Sequence, residues 1–207
     1  MRILNASSIY STYKTNMILP LAYYGDPILR RKGSRIEKIT PEIEKLIEDM
    51  FDTMSENRGI GLAAQQIGEA LQLTVIDIRP AEDRPSTLEL DGKEADPNSI
   101  MPLILINPEI EPLSGEKMGP EGCLSFPEIY ADIGRPEKIR VTSLNEDGKN
   151  FSFVCGGLLS RCIQHETDHL HGILFTDRMD RKTKAEIREE LERLQSHTKA
   201  ELAKEEN

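Results

Sequence analysis

The sequence predicts a mixed fold, with distinct helices and hairpin-paired strands, on three observations. Residues 138–145 and 149–154 alternate apolar and polar around Asp147-Gly148, the pattern of two antiparallel strands joined by a tight turn. Leu158, Leu159, Cys162, Ile163 and Leu170 recur at helical spacing between Gly156-Gly157 and Gly172, so residues 157–171 read as a helix. Thr40, Pro41 and Glu42 supply a capping hydroxyl, a proline at the first position and an acid in the first turn. Behind them Ile43, Leu46, Ile47, Met50, Phe51 and Met54 mark one face of a helix ending at Gly59.

Taken in order, residues 1–16 are polar and lack the apolar run of a secretory signal, so they read as a disordered extension or an over-extended start. Tyr24-Gly25-Asp26-Pro27 is a turn leading into a loop. Residues 71–78 form a strand. Residues 79–99 are polar, acidic and turn-rich, a surface loop with room for a short hairpin, and no chemistry is assigned to them. Ile100–Ile106 is a second buried strand, stopped by Asn107-Pro108. The tail 182–207 is a charged terminal helix with Ile187, Leu191 and Leu194 on a narrow stripe and Glu189–Arg193 support at i, i+4.

Composition narrows the function. At 207 residues the chain suits one domain with appendages. A net charge of −10 argues against a general nucleic-acid binder, so no direct DNA binding is expected. The longest apolar run, Ile100–Ile106, is strand-sized and no membrane span is expected. Cys123, Cys155 and Cys162 are an odd number and read as reduced thiols, which places the chain in the cytoplasm.

Gly59-Ile60-Gly61-Leu62-Ala63-Ala64 matches a dinucleotide-binding fingerprint, but a helix precedes it where a strand is required. What remains is a small-residue backbone that a substrate chain could approach closely, followed by the amide of Gln66.

His165-Glu166-Thr167-Asp168-His169 is H-E-x-x-H. Two histidines four apart share a helix face and can hold one metal ion, with the glutamate placed to take a proton from water. Both continue the Leu158–Cys162 row, so they should point inward. A catalytic site normally has three protein ligands. A downstream third ligand, as in metalloproteases, would have to be Glu189 or Glu190, in the charged tail; the position six after His169 is Phe175, not histidine. An upstream ligand would be a cysteine thiolate, and spacing alone does not choose Cys123 over Cys155 or Cys162.

G-I-G-L-A-A-Q-Q at 59–66, E-G-C-L-S at 121–125 and Q-H-E-T-D-H at 164–169 together resemble the three motifs of the peptide deformylases, in order and at fitting separations. The resemblance runs from about Met17 to Arg178. It implies an α+β fold, antiparallel sheets packed around a central metal-binding helix plus a C-terminal helix, with a catalytic unit over 17–180 and a tail over 181–207. It implies Cys123, His165 and His169 as ligands of one divalent metal ion, Fe²⁺ in the cell with Zn²⁺, Ni²⁺ or Co²⁺ able to substitute. Glu166 would be the general acid/base, and the Gln66 side chain and Leu124 backbone N–H the oxyanion donors. Ile60, Gly61, Gly122 and Cys162 would line the substrate's place, Cys162 as pocket wall. The substrates implied are N-formylmethionyl nascent peptides, with the C-terminal helix able to dock on the ribosome. Tyr130 stands where many relatives carry an arginine and Arg161 where some carry an apolar residue.

Overall fold

The computed structural model describes residues 17–81 and 83–205; the expectation for residues 1–16 lies outside them. In chain order the elements are α1 (Pro41–Glu56), β1 (Gly61–Ala63), β2 (Leu73–Ile76), β3 (Ser86–Leu90), β4 (Lys93–Ala95), β5 (Leu103–Pro112), β6 (Glu116–Cys123), β7 (Phe126–Pro136), β8 (Lys138–Leu144), β9 (Asn150–Gly156), α2 (Gly157–Leu170), α3 (Phe175–Arg178), α4 (Arg181–Glu186) and α5 (Arg188–Glu205). Seven strands form an antiparallel sheet in the order β1-β2-β5-β8-β9-β3-β4, and β6 pairs with β7 as a separate ribbon. The fold is α+β, as the sequence suggested. No helix of the described residues is long and apolar enough to cross a membrane.

The core explains where α2 lies. Leu158, Leu159, Cys162 and Ile163 pack against Ile76, Leu105, Ile139, Val141, Phe153 and Cys155 from the sheet. Burying these side chains contributes about 1.5–3 kcal/mol each where fully covered, ample to fix the helix on the sheet. A second cluster, with Met50, Met54 and Ile47 of α1 against Leu62, Leu73, Val75 and Ile106, seats α1 beside β1 and β2. A third joins Phe126, Ile129 and Ile133 of β7 to Leu174, Phe175 and Leu191, and ties the ribbon to the C-terminal helices. The turn from β9 into α2 needs glycine at 157: its φ is +67°, and an added Cβ would lie 2.2 Å from the Pro85 carbonyl oxygen.

Several local expectations are corrected. Asn107-Pro108 does not stop the strand, because β5 continues to Pro112 through a register shift between Ile106 and Glu109. Asn107 takes φ +53° there, and its side chain exchanges hydrogen bonds with the Ile36 backbone at 2.9 Å in both directions. Proline 27 opens a short 3₁₀ helix to Arg30, capped by Asp26, in place of a loop. Thr40 precedes α1 but its hydroxyl does not cap the backbone. The acidic 79–99 segment does hold a hairpin, and β3 joins β9 at the sheet's far end. The tail is two helices, breaking at Ile187, and its i, i+4 pairs among the described residues are Lys182–Glu186 and Arg188–Glu192.

Candidate functional site

Cys123 closes β6, and strand alternation puts Glu121 on the same side of the ribbon. On α2, His165 and His169 sit one turn apart with ring centroids 5.1 Å from each other. Cys123 Sγ lies 3.3 Å from His169 Nε2. One ligand atom from each of the three lies within 4.8 Å of the others, the single such cluster among the described residues. Glu189 and Glu190 lie elsewhere, exposed on α5 beside Arg193. Cys155 is buried in the sheet core, where burial pushes its thiol up to about 12, and it is a small apolar residue.

The donors suit a metal ion. His165 Nδ1 bonds Glu121 Oε2 at 2.9 Å. A carboxylate only accepts, so the ring proton sits on Nδ1 and Nε2 keeps its lone pair for a cation. His169 Nδ1 is buried with no partner. One sulfur and two imidazole nitrogens are a set that transition metals take readily. Burial opposes the charged form of His165, but Cys123 and Glu121 outweigh it and raise its pKa well above the ordinary value, favouring on Nε2 a proton that a bound cation would replace. Burial, reinforced by His165 and Arg135, holds that of His169 well below it.

Glu166 follows His165 and is 4% exposed. Burial, chiefly, raises its carboxyl to about 7. Its Oε2 has no hydrogen-bond partner. The backbone of β1 comes so close that a Cβ on Gly61 would lie 2.5 Å from Glu166 Oε1 and 2.8 Å from Cys162 Sγ, so only glycine fits. Gln66 lies in the 3₁₀ turn Ala64–Ile67 after β1. Its Oε1 accepts from the Ala63 N–H at 2.8 Å, which fixes the amide with Nε2 toward Ser125 Oγ at 3.3 Å and Cys123 Sγ at 3.5 Å.

These groups open on one cleft of about 650 Å³. Ile60, Gly61, Gln66, Gly122, Cys123, Leu124, Cys162, His165 and Glu166 all line it, so nearly every residue singled out in the sequence is brought together there. His169 completes the set from behind, 1% exposed. Leu124 stands in the β6–β7 turn next to Cys123. Tyr130 is 70% exposed at the rim, covering Gly122.

Sequence reasoning missed the residues that hold this cluster in place. Glu121 takes two bonds from Arg135, 2.7 Å and 2.9 Å, besides those from His165 and from Arg161 at 2.9 Å. These partners hold its carboxyl well below the ordinary range despite burial. Arg135 Nη1 reaches Asp168 Oδ2 at 2.6 Å, and Arg178 bonds the same carboxylate at 2.9 Å and 2.5 Å. Asp168 is thus a structural acid, not a ligand. Arg161 donates to the Ile133 and Lys117 carbonyls at 2.7 Å, clamping the ribbon to α2. The signal for Glu121 was its place two before Cys123 on a strand; Arg135 carried none.

Against known proteins, the family model described as Polypeptide deformylase matches residues 18–185. The Peptide deformylase of Opitutus terrae is 47% identical over 186 residues, covering 89% of this chain and 96% of that protein. The crystal structure of a peptide deformylase from Synechococcus elongatus in complex with actinonin superposes with a TM-score of 0.69 at 40% identity, covering 86% of each chain. That from Thermus thermophilus gives 0.72 at 35% identity, covering 87% of this chain and 99% of the other. A match over most of the length, in sequence and in fold, means that the chain belongs to the polypeptide deformylase family of enzymes.

Proposed function

We propose that this chain removes the N-formyl group from the N-terminal formylmethionine of newly made polypeptides in the cytoplasm, releasing formate. The observation that carries the reading is the convergence of Cys123, His165 and His169 within 4.8 Å beside a buried glutamate. Cys123 Sγ and the Nε2 atoms of His165 and His169 would hold one divalent ion, Fe²⁺ in the cell by family resemblance, with Zn²⁺, Ni²⁺ or Co²⁺ as substitutes. When bound, the ion supplies Lewis acidity that makes water a usable nucleophile near neutral pH.

The chain's own groups do the rest. Glu166, with a carboxyl raised to about 7, accepts the proton of the attacking water and returns it to the leaving amine. Both directions of transfer are accessible because its pKa is near the working pH. Gln66 Nε2 and the Leu124 N–H donate to the oxygen of the attacked formyl group as charge develops on it. Gln66 needs little reorganisation, its amide being held by Ala63 already. The peptide lies extended beside Ile60-Gly61, with the methionine side chain against Cys162 and Gly122 flanking the reacting end. Residues 17–180 form the catalytic unit. The tail 181–207 is the element offered to the ribosome, and failure of the full chain to co-sediment with ribosomes at low salt removes that part.

The test is formate release from formyl-Met-Ala beside casein cleavage in anaerobic buffer, with metal analysis of wild type and Cys123→Ala. Formate release with casein intact is expected, and loss of bound metal in the variant. Casein cut while formyl-Met-Ala stays intact reverses the reading in favour of an endoprotease.

A further inference from the structure

β2 pairs with one side of β1, and the other side faces the cleft, where Ile60 and Gly61 line it. A peptide whose first residue sits between Gln66 and Glu166 and which lies along that free side runs back past Ile60 and Gly59 toward Arg58. A strand advances about 3.3 Å per residue, so Arg58 falls beside roughly the second to fourth residues of the peptide. Arg58 is exposed in the turn after α1, with φ +56°. Arg84, half-buried on the loop between β2 and β3, lines the same cleft and reaches the Pro120 carbonyl oxygen at 3.4 Å. Neither guanidinium pairs with a carboxylate among the described residues. The other charges of the lining are committed: Arg161 and Glu121 bond each other, and Glu166 is buried. That leaves Glu128, exposed on β7, as the opposing carboxylate. Two uncommitted cations thus face one anion at the mouth, on a chain whose net charge is −10.

We propose that Arg58 and Arg84 make the enzyme select formylated peptides with an acidic side chain in the two or three residues after the first. This rests on the deformylase reading. The attraction is between solvent-exposed charges, so its size is modest and it is screened by salt.

The test compares kcat/KM for formyl-Met-Ala-Glu-Ser and formyl-Met-Ala-Lys-Ser. The glutamate peptide should be favoured about two- to five-fold at low ionic strength. The ratio should fall to about one at roughly 1 M salt, where the screening length shrinks to about 3 Å. In the Arg58→Glu, Arg84→Glu double variant the ratio should invert; the salt titration checks the same point without any variant. Equal efficiencies at low salt overturn the inference, as does a preference that survives both salt and charge reversal. Formate from neither peptide overturns the deformylase reading and this inference with it.

Discussion

Two stripes run along α2, and the protein satisfies their polar groups in opposite ways. Arg161, Gln164 and Asp168 form one stripe. Arg161 meets Glu121 and the carbonyls of the ribbon, Gln164 donates to the Pro136 and Ser160 oxygens, and Asp168 sits between Arg135 and Arg178. On the neighbouring stripe Cys162, His165, Glu166 and His169 face the cleft or its rear wall. There Glu166 Oε2 and His169 Nδ1 are buried with no partner. An unsatisfied buried polar group costs about 1–3 kcal/mol. The fold carries that cost at these two groups, as it does at Gln65 Oε1, Thr167 Oγ1 and Thr176 Oγ1, and leaves none of it on Arg161, Gln164 or Asp168. Groups free of partners are the ones able to exchange protons or bind an ion; groups fully bonded are the ones able to hold a geometry.

The contrast is broken most forcefully by mutation on the unsatisfied stripe. Glu166→Gln should lower kcat/KM for formyl-Met-Ala by about 10²–10⁴-fold. Because it replaces a buried carboxyl lacking a partner, the thermal midpoint should hold or rise. A variant that loses stability along with activity would place Glu166 in the supporting network instead.

Arg135→Met should behave the other way round. Arg135 is 3% exposed and lies between Glu121 and Asp168. Removing it takes the shared cation from two buried carboxylates, leaving Glu121 to Arg161 and Asp168 to Arg178, a loss of up to about 3–5 kcal/mol. Urea denaturation of the two proteins reads this directly. An unchanged midpoint would mean that Arg161 and Arg178 alone satisfy Glu121 and Asp168, and the stripes would no longer differ in kind.

Gln66→Ala falls between these two. Losing one donor to the developing oxyanion costs about 2.7–4 kcal/mol of barrier. The loss should appear mainly in kcat, with bound metal retained, since Gln66 is outside the ligand cluster. Loss of metal in step with activity would assign Gln66 to holding Cys123, whose sulfur is 3.5 Å from its Nε2.

The same division accounts for what the sequence made legible. Helix periodicity sufficed to find α2, because one apolar row packs on the sheet, and the inward direction of both histidines followed from it; that the polar stripe is buried as well, against the ribbon, was not legible. The β8–β9 hairpin was legible because Asp147-Gly148 sets it locally. Cys123 was not separable from Cys155 and Cys162 by spacing; only the pairing of β6 with β7 decides which thiol meets the imidazoles, and resemblance stood in for that. Arg135 is 33 residues from Asp168 and 14 from Glu121, so no local pattern connects them. Asn107-Pro108 misled for a related reason: a bulge stabilised by Ile36, 71 residues away, overrides a local stop signal.

An exposed pair of similar chemistry sharpens the comparison with the smallest expected effect. Arg30 bonds Asp177 from the 3₁₀ turn at residues 27–30, near the end of α2, with side chains 45% and 34% exposed. Burial raises the Asp177 carboxyl somewhat, but the Arg30 hydrogen bond and the Leu174 N–H together hold it below the ordinary value. A carboxyl depressed on folding adds stability that is fully present above its unfolded pKa, about 3.9, and that disappears as pH falls through the lower folded value. Solvent screening keeps the contribution under about 1 kcal/mol. Asp177→Asn should therefore trail wild type slightly in urea midpoint at pH 5–7, and the gap should close as pH falls through the lowered folded value and wild-type Asp177 protonates. A gap as wide as that of Arg135→Met, or one that persists in acid, would show that exposure does not separate this pair from Arg135–Asp168.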